Sequence, residues 1–173
     1  MIAERLKRIQ MVLMDVDGVL TAGEIIYGDS GEQYKIFDVK DGLGIRLLKE
    51  AGCRVGIVTG RSGEALRHRC RNLGIEMLFD GVRNKSQVLV QATAQTGIAP
   101  EATAFIGDDL PDLAIMKHVG LAVAVADAHD MVRSAAHLTT KAPGGRGAVR
   151  ELCEAILKAQ GRWDHLIQTL FNG

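Results

Sequence analysis

The sequence has no surplus of either charge: 21 Lys and Arg against 21 Asp and Glu leave it formally neutral at pH 7. Nothing in that balance asks for nucleic acid or an anionic membrane as partner. Cysteine is scarce and scattered. Cys53, Cys70 and Cys153 show no CxxC spacing, so they read as free thiols in a reducing compartment rather than a disulfide framework. No apolar run is long enough to span a bilayer, and the first residues, MIAERLKRIQ, lack a long apolar stretch. A cytoplasmic protein is expected. Repeats, low-complexity tracts and a large inserted second domain are absent too. The five histidines are dispersed, and no His or Cys cluster offers a site for a soft metal.

What is present is ordinary for a globular protein: 47% hydrophobic and 24% charged residues in a chain of 173. That length suits one domain over residues 1–173. Apolar runs of strand length at 10–16, 53–58, 75–79, 103–106 and 121–125 alternate with helix-period segments at 41–51, 62–73, 84–96, 111–118 and 128–135. A last helix is expected over 147–159, followed by a short amphipathic tail, GRWDHLIQTLFNG. Asp41 and Ser62 stand where N-caps are expected, and Gly52 and Gly74 where helices should end. Unalternating apolar strands between helices predict an α/β fold. It is a doubly wound, Rossmann-like parallel sheet with helices on both faces. Residues 21–37 break the pattern, because two strand-like pieces around GDSGE signal a β-hairpin.

Carboxylates gather at expected strand ends. In VLMDVDG, Asp15 and Asp17 are two residues apart, so an extended chain points both the same way, and Gly18 permits a sharp turn. A lone DxD also occurs at metal-nucleotide sites of glycosyltransferases and in plain turns. The second group is GDDLPD, with Asp108 and Asp109 after an apolar strand and Asp112 behind Pro111 at a helix start, where capping is the simplest role. Two carboxylates meeting at one sheet edge repel unless a cation neutralises them, and oxygen donors suit Mg²⁺. In VTGRSG, Thr59, Gly60 and Arg61 lie where a hydroxyl and backbone N–H groups make a small anion site, or where Thr59 and Ser62 simply cap a helix. Lys85 falls near a helix start, where a cation is disfavoured without an anionic neighbour.

The order DxDG, Thr, Lys, GDDxxD resembles the haloacid dehalogenase superfamily over most of the chain. GEIIYGDSGEQYKIFDVKDGLGI and the late GGRGAVRE resemble its capless branch, in which a hairpin flap stands in place of a cap domain and four subunits assemble. The resemblance implies a Mg²⁺-dependent phosphatase for an eight-carbon sugar-acid phosphate of lipopolysaccharide precursor synthesis. It implies Asp15 as nucleophile, Asp17 as acid and base, and Mg²⁺ on Asp15, the Asp17 carbonyl and Asp108. Asp109 and Asp112 would support that shell, and Thr59 and Lys85 would hold the phosphoryl oxygens. Arg61, Arg69 and Arg146 are candidates for a substrate carboxylate, since arginine matches that group bidentately. Two other readings stand beside this one: a phosphatase for a nine-carbon sialic-type sugar acid, and a receiver-like signalling domain. A receiver has no use for Asp17 as acid and base.

Overall fold

The computed structural model describes residues 1–171, the side chains of residues 32 and 33 excepted. The last two residues of the expected tail therefore lie outside it. Six strands form a parallel sheet: β1 (Met11–Met14), β4 (Arg54–Val58), β5 (Met77–Phe79), β6 (Thr103–Gly107), β7 (Leu121–Ala124) and β8 (Leu138–Thr139), in the order β5-β4-β1-β6-β7-β8. Strand β1 is central, with Met14 level with Ile57 on one side and Ile106 on the other. All four of its side chains are buried. Alternation disappears because helices cover both faces.

On one face α2 (Val39–Glu50) packs against α3 (Glu64–Leu73) and α7 (Ala148–Ala159), with α1 (Ile2–Arg8) and α8 (Trp163–Phe171) resting on α7. On the other lie α4 (Lys85–Thr96), α5 (Leu113–Met116) and α6 (Asp130–Ala135). Leu13, Ile57 and Phe105 from the sheet meet Ile45, Leu48 and Ile156 from the helices in one apolar core. Each such side chain contributes about 1.5–3 kcal/mol on leaving water. The three cysteines are buried and free. The hairpin forms as expected, β2 (Ile26–Gly28) against β3 (Gly31–Tyr34), as a separate antiparallel pair.

Two expected caps are corrected. Helix α2 starts two residues before Asp41, and Asp38 is its N-cap, accepting from the Lys40 N–H. Asp41 is buried and caps a different helix, α7, by accepting from the backbone of Gly147 and Arg150. Ser62 does not cap α3, whose N-cap is Gly63. The stretch 111–118 is also split: Leu110–Asp112 forms a 3₁₀ turn before α5. Helix α1 and strand β8 were not expected from the pattern.

Candidate active site

Strand order reverses at β1, which leads to β4 on one side while β6 returns on the other. Ligands collect at such a point, outside the carboxyl ends of the strands. The chain places a polar residue one step beyond three of those ends: Asp15 after β1, Thr59 after β4 and Asp108 after β6. The Asp15 N–H donates to Ile106 and the Thr59 N–H to Phe79, so each is held by the ladder it has just left.

The DxD turn and the GDD loop are in direct contact. Gly18 has φ +88°, and a Cβ there would lie 2.0 Å from the Asp108 carboxylate. No side chain fits, which explains the glycine. Lys85, the first residue of α4 and only 5% exposed, sets its Nζ 3.0 Å from Asp15 and 2.6 Å from Asp112. Those carboxylates offset the unfavourable placement of a cation at a helix start. Burial alone would lower its pKa, but Asp15 and Asp112 outweigh it and raise the value, so Lys85 is charged.

Asp112 serves as a brace. Its second oxygen accepts from the N–H groups of Asp108 and Asp109, at 2.9 and 3.3 Å. Asp109 is exposed and accepts from the Leu110 N–H, closing a capping box with Asp112. The capping expected of Asp112 and its contact with Lys85 therefore coexist on two different oxygens.

Asp15, Asp108 and Asp112 bring one oxygen each within 4.8 Å of one another. Burial, then Asp112 and Asp15, push Asp108 up to about 8. Burial, then Asp112, push Asp15 up to about 6 against the pull of Lys85. The Asp108 Oδ1 is buried with no hydrogen-bond partner among the described residues, a costly state for a carboxylate. Hard oxygen donors, excess negative charge and an orphaned oxygen fit a divalent cation of the Mg²⁺ type. With the Asp112 oxygens already committed, Asp15 and Asp108 are the side chains left to hold it.

Asp17 faces the same cleft, a cavity of about 530 Å³ also lined by Thr59, Gly60, Arg61, Lys85 and Asp109. Its carboxylate meets Lys35 at 2.6 Å and Arg61 at 3.7 Å. Lys35 follows β3, so the hairpin reaches back onto the DxD turn. Sequence reading missed Lys35, and also Arg83, which lines the cleft. The one available signal was the hairpin's position directly after the two aspartates. The Thr59 hydroxyl accepts from the Arg61 N–H at 3.3 Å, leaving its own hydrogen to donate.

Of the three candidate arginines, Arg61 lines this cleft and the other two do not. Arg69 donates to the Asp38 carbonyl and lies over the Phe37 ring, holding the start of α2. Arg146 lines a separate cavity of about 360 Å³ under the hairpin, with Tyr34, Ile36 and Phe37. A larger cleft of about 890 Å³ at the opposite strand ends is lined by Lys7, Arg8, Arg54 and Arg162, with no carboxylate among its described lining residues.

A parallel α/β sheet with an acidic cleft after β1 and β6, a buried lysine across it and a threonine after β4 defines a phosphoryl-transfer hydrolase of the haloacid dehalogenase type. Residues 76–152 match the model of the haloacid dehalogenase-like hydrolases, and the chain belongs to that family. It is 45% identical over 158 residues to the 3-deoxy-D-manno-octulosonate 8-phosphate phosphatase KdsC of Escherichia coli K12, covering 91% of this chain and 84% of that one. It is 44% identical over 161 residues to KdsC of Yersinia pestis, covering 93% and 86%. The crystal structure of the Moraxella catarrhalis phosphatase, in complex with magnesium ion, phosphate ion and KDO, has a TM-score of 0.94 at 42% identity and covers 97% of each chain.

Proposed function

We propose that the protein hydrolyses 3-deoxy-D-manno-octulosonate 8-phosphate to the free sugar acid and phosphate, with Mg²⁺ as cofactor. The observation that carries this reading is the cleft itself. It joins Asp15, Lys85 and Asp108 to a further carboxylate, Asp17, in a chain 45% identical to a phosphatase of that substrate.

The Asp15 carboxylate attacks phosphorus, the bond to the sugar oxygen breaks, and that oxygen takes a proton from Asp17. Asp17 then takes a proton from water as the water oxygen attacks the aspartyl-phosphate, and Asp15 is released. Asp15, Asp108 and the backbone carbonyl of Asp17 would hold Mg²⁺, which would neutralise the phosphoryl oxygens when bound. The Lys85 ammonium and the Thr59 hydroxyl donate to those oxygens, aided by the backbone at Gly60. Asp109 and Asp112 keep the GDD loop in place. Lys35 grips Asp17 in the free protein, and the incoming phosphate dianion competes for that ammonium, freeing Asp17 for its proton. Arg61, which lines the cleft, meets the substrate carboxylate in this reading.

Incubation with Mg²⁺ and a panel of eight- and nine-carbon sugar-acid phosphates tests the reading. Phosphate release over many turnovers is expected, fastest with the eight-carbon compound. No multiple turnover on any of them would overturn it, and faster release from a nine-carbon compound would reassign the substrate.

We further propose a homotetramer working in the cytoplasm. Three buried, unpaired thiols support the compartment. The hairpin and the adjoining start of α2 support the assembly, since Tyr27, Tyr34, Ile36 and Val39 are 62–78% exposed within this one stretch of chain. Apolar side chains gathered in this way mark an interface. Copies seated there would also cover the Arg146 cavity and bring that arginine toward a neighbour. Sedimentation should show four subunits at micromolar concentration, and a stable monomer would contradict the proposal.

A further inference from the structure

Asp41 is 1% exposed and lies in the first turn of α2, outside the residues that line the acidic cleft. Its carboxylate does not serve its own helix. One oxygen accepts from the Arg150 N–H at 2.7 Å and the other from the Gly147 N–H at 3.3 Å. Helix α7 needs this. Its N-cap is Gly147, with φ +104° and no side chain to offer, so its first N–H groups would otherwise be orphaned. A carboxylate there also complements the helix dipole.

The segment that Asp41 anchors leads straight to the catalytic turn. The Gly145 N–H donates to the Val19 carbonyl at 2.8 Å. Gly144 sits so close to Gly18 that a Cβ on it would fall 1.7 Å from the Gly18 carbonyl oxygen. The Gly144 N–H is fixed in turn by Asp127 at 2.9 Å. Residues 144 and 145 thus clamp the backbone that begins one residue after Asp17. Gly144 and Gly145 meet residues 18 and 19 backbone to backbone, and they lie two and three residues from the Gly147 that Asp41 holds.

We propose that Asp41 is a positioning residue for the phosphatase reaction, acting through residues 144–147 on the backbone that carries Asp17. The inference rests on the phosphatase reading of the cleft. A structural cap for α7 would need only the contacts at 147 and 150. The close seating of residues 144 and 145 on residues 18 and 19 extends the effect to the acid and base. Misplacement of a reacting group by about 1 Å costs up to about 100-fold in rate.

Asp41→Asn keeps the shape of the side chain and one acceptor oxygen. We expect it to lower kcat on the sugar-acid phosphate by about 10-fold or more, with KM within about 2-fold, because Thr59 follows β4 and Lys85 opens α4, apart from the clamp. Placed on Asp17→Asn, it should lower kcat no further, since the group it positions is already gone. Gly144→Ala, which forces the clamp off Gly18, should reproduce the same pattern. An unchanged kcat, or the same factor of loss in both backgrounds, overturns the proposal. Amide hydrogen exchange without substrate provides a second readout. Exchange at residues 18–22 should rise in Asp41→Asn, and unchanged exchange there overturns the proposal whatever the wild-type protein hydrolyses. Absence of wild-type turnover overturns the phosphatase reading instead.

Discussion

Asp15→Asn is expected to remove turnover, by about 10⁴-fold or more as for other lost nucleophiles, and to make the metal-free protein more stable at pH 8. The first effect follows because an amide cannot attack phosphorus. The second follows from the charge in the cleft. Burial and Asp112 hold the Asp15 carboxyl up to about 6, and burial and its acidic neighbours hold Asp108 up to about 8. Without metal, the folded protein therefore keeps protons that the unfolded chain has released. The associated stability is complete below the ordinary carboxylate value of about 4 and is lost as pH rises through about 6 and then 8. Asn at position 15 removes the first of these losses and relieves Asp108, while Lys85 retains Asp112. A gain on the order of 1–3 kcal/mol at pH 8 is expected, or about 5 °C in Tm for a chain of this size. The gain should shrink as pH falls toward 4. Thermal melts in chelator at several pH values, with phosphate release measured alongside, check both parts. Retained turnover, or a lower Tm at pH 8, would contradict the account.

Asp17→Asn is expected to cost about 10²–10⁴-fold in kcat on the sugar-acid phosphate, the usual worth of a positioned acid or base, while substrate and Mg²⁺ still bind. Asn cannot give a proton to the sugar oxygen or take one from water. The two steps separate with p-nitrophenyl phosphate, whose leaving group departs without a proton. Asp15 should then be phosphorylated at a near-normal rate while release of the phosphate stalls. Stopped-flow absorbance should show a burst of one nitrophenolate per active site followed by a slow phase. A steady rate without a burst would remove Asp17 from the second step. An undiminished kcat would remove it from both.

Much of this cleft was legible in the sequence because its parts are local. Asp15, Thr59 and Asp108 each follow an apolar strand by one residue, and a parallel sheet delivers all such residues to one edge. Lys85 was legible as a cation at a helix start, a placement that asks for an anion. Contacts fixed by long-range packing were not legible. The Lys35 pairing with Asp17 depends on where the hairpin folds back. Arg69 sits in a helix-period run that gives no hint of the Asp38 carbonyl. Asp41 was misread because a cap is recognised by its distance from a helix start, whereas its partners lie 106 and 109 residues along the chain. Helix α1 offers only Leu6 as a buried residue, and β8 is two residues long, so neither carries a period.

The central claim is that Asp15 carries the phosphoryl group between sugar and water. Mass analysis of Asp17→Asn, quenched in acid during turnover with Mg²⁺ and p-nitrophenyl phosphate, tests it most directly. The account predicts one added phosphoryl group, located on the peptide that contains Asp15 and absent when Asp15 is also replaced by Asn. Unmodified protein throughout the burst, or a phosphoryl group on any other residue, would contradict it.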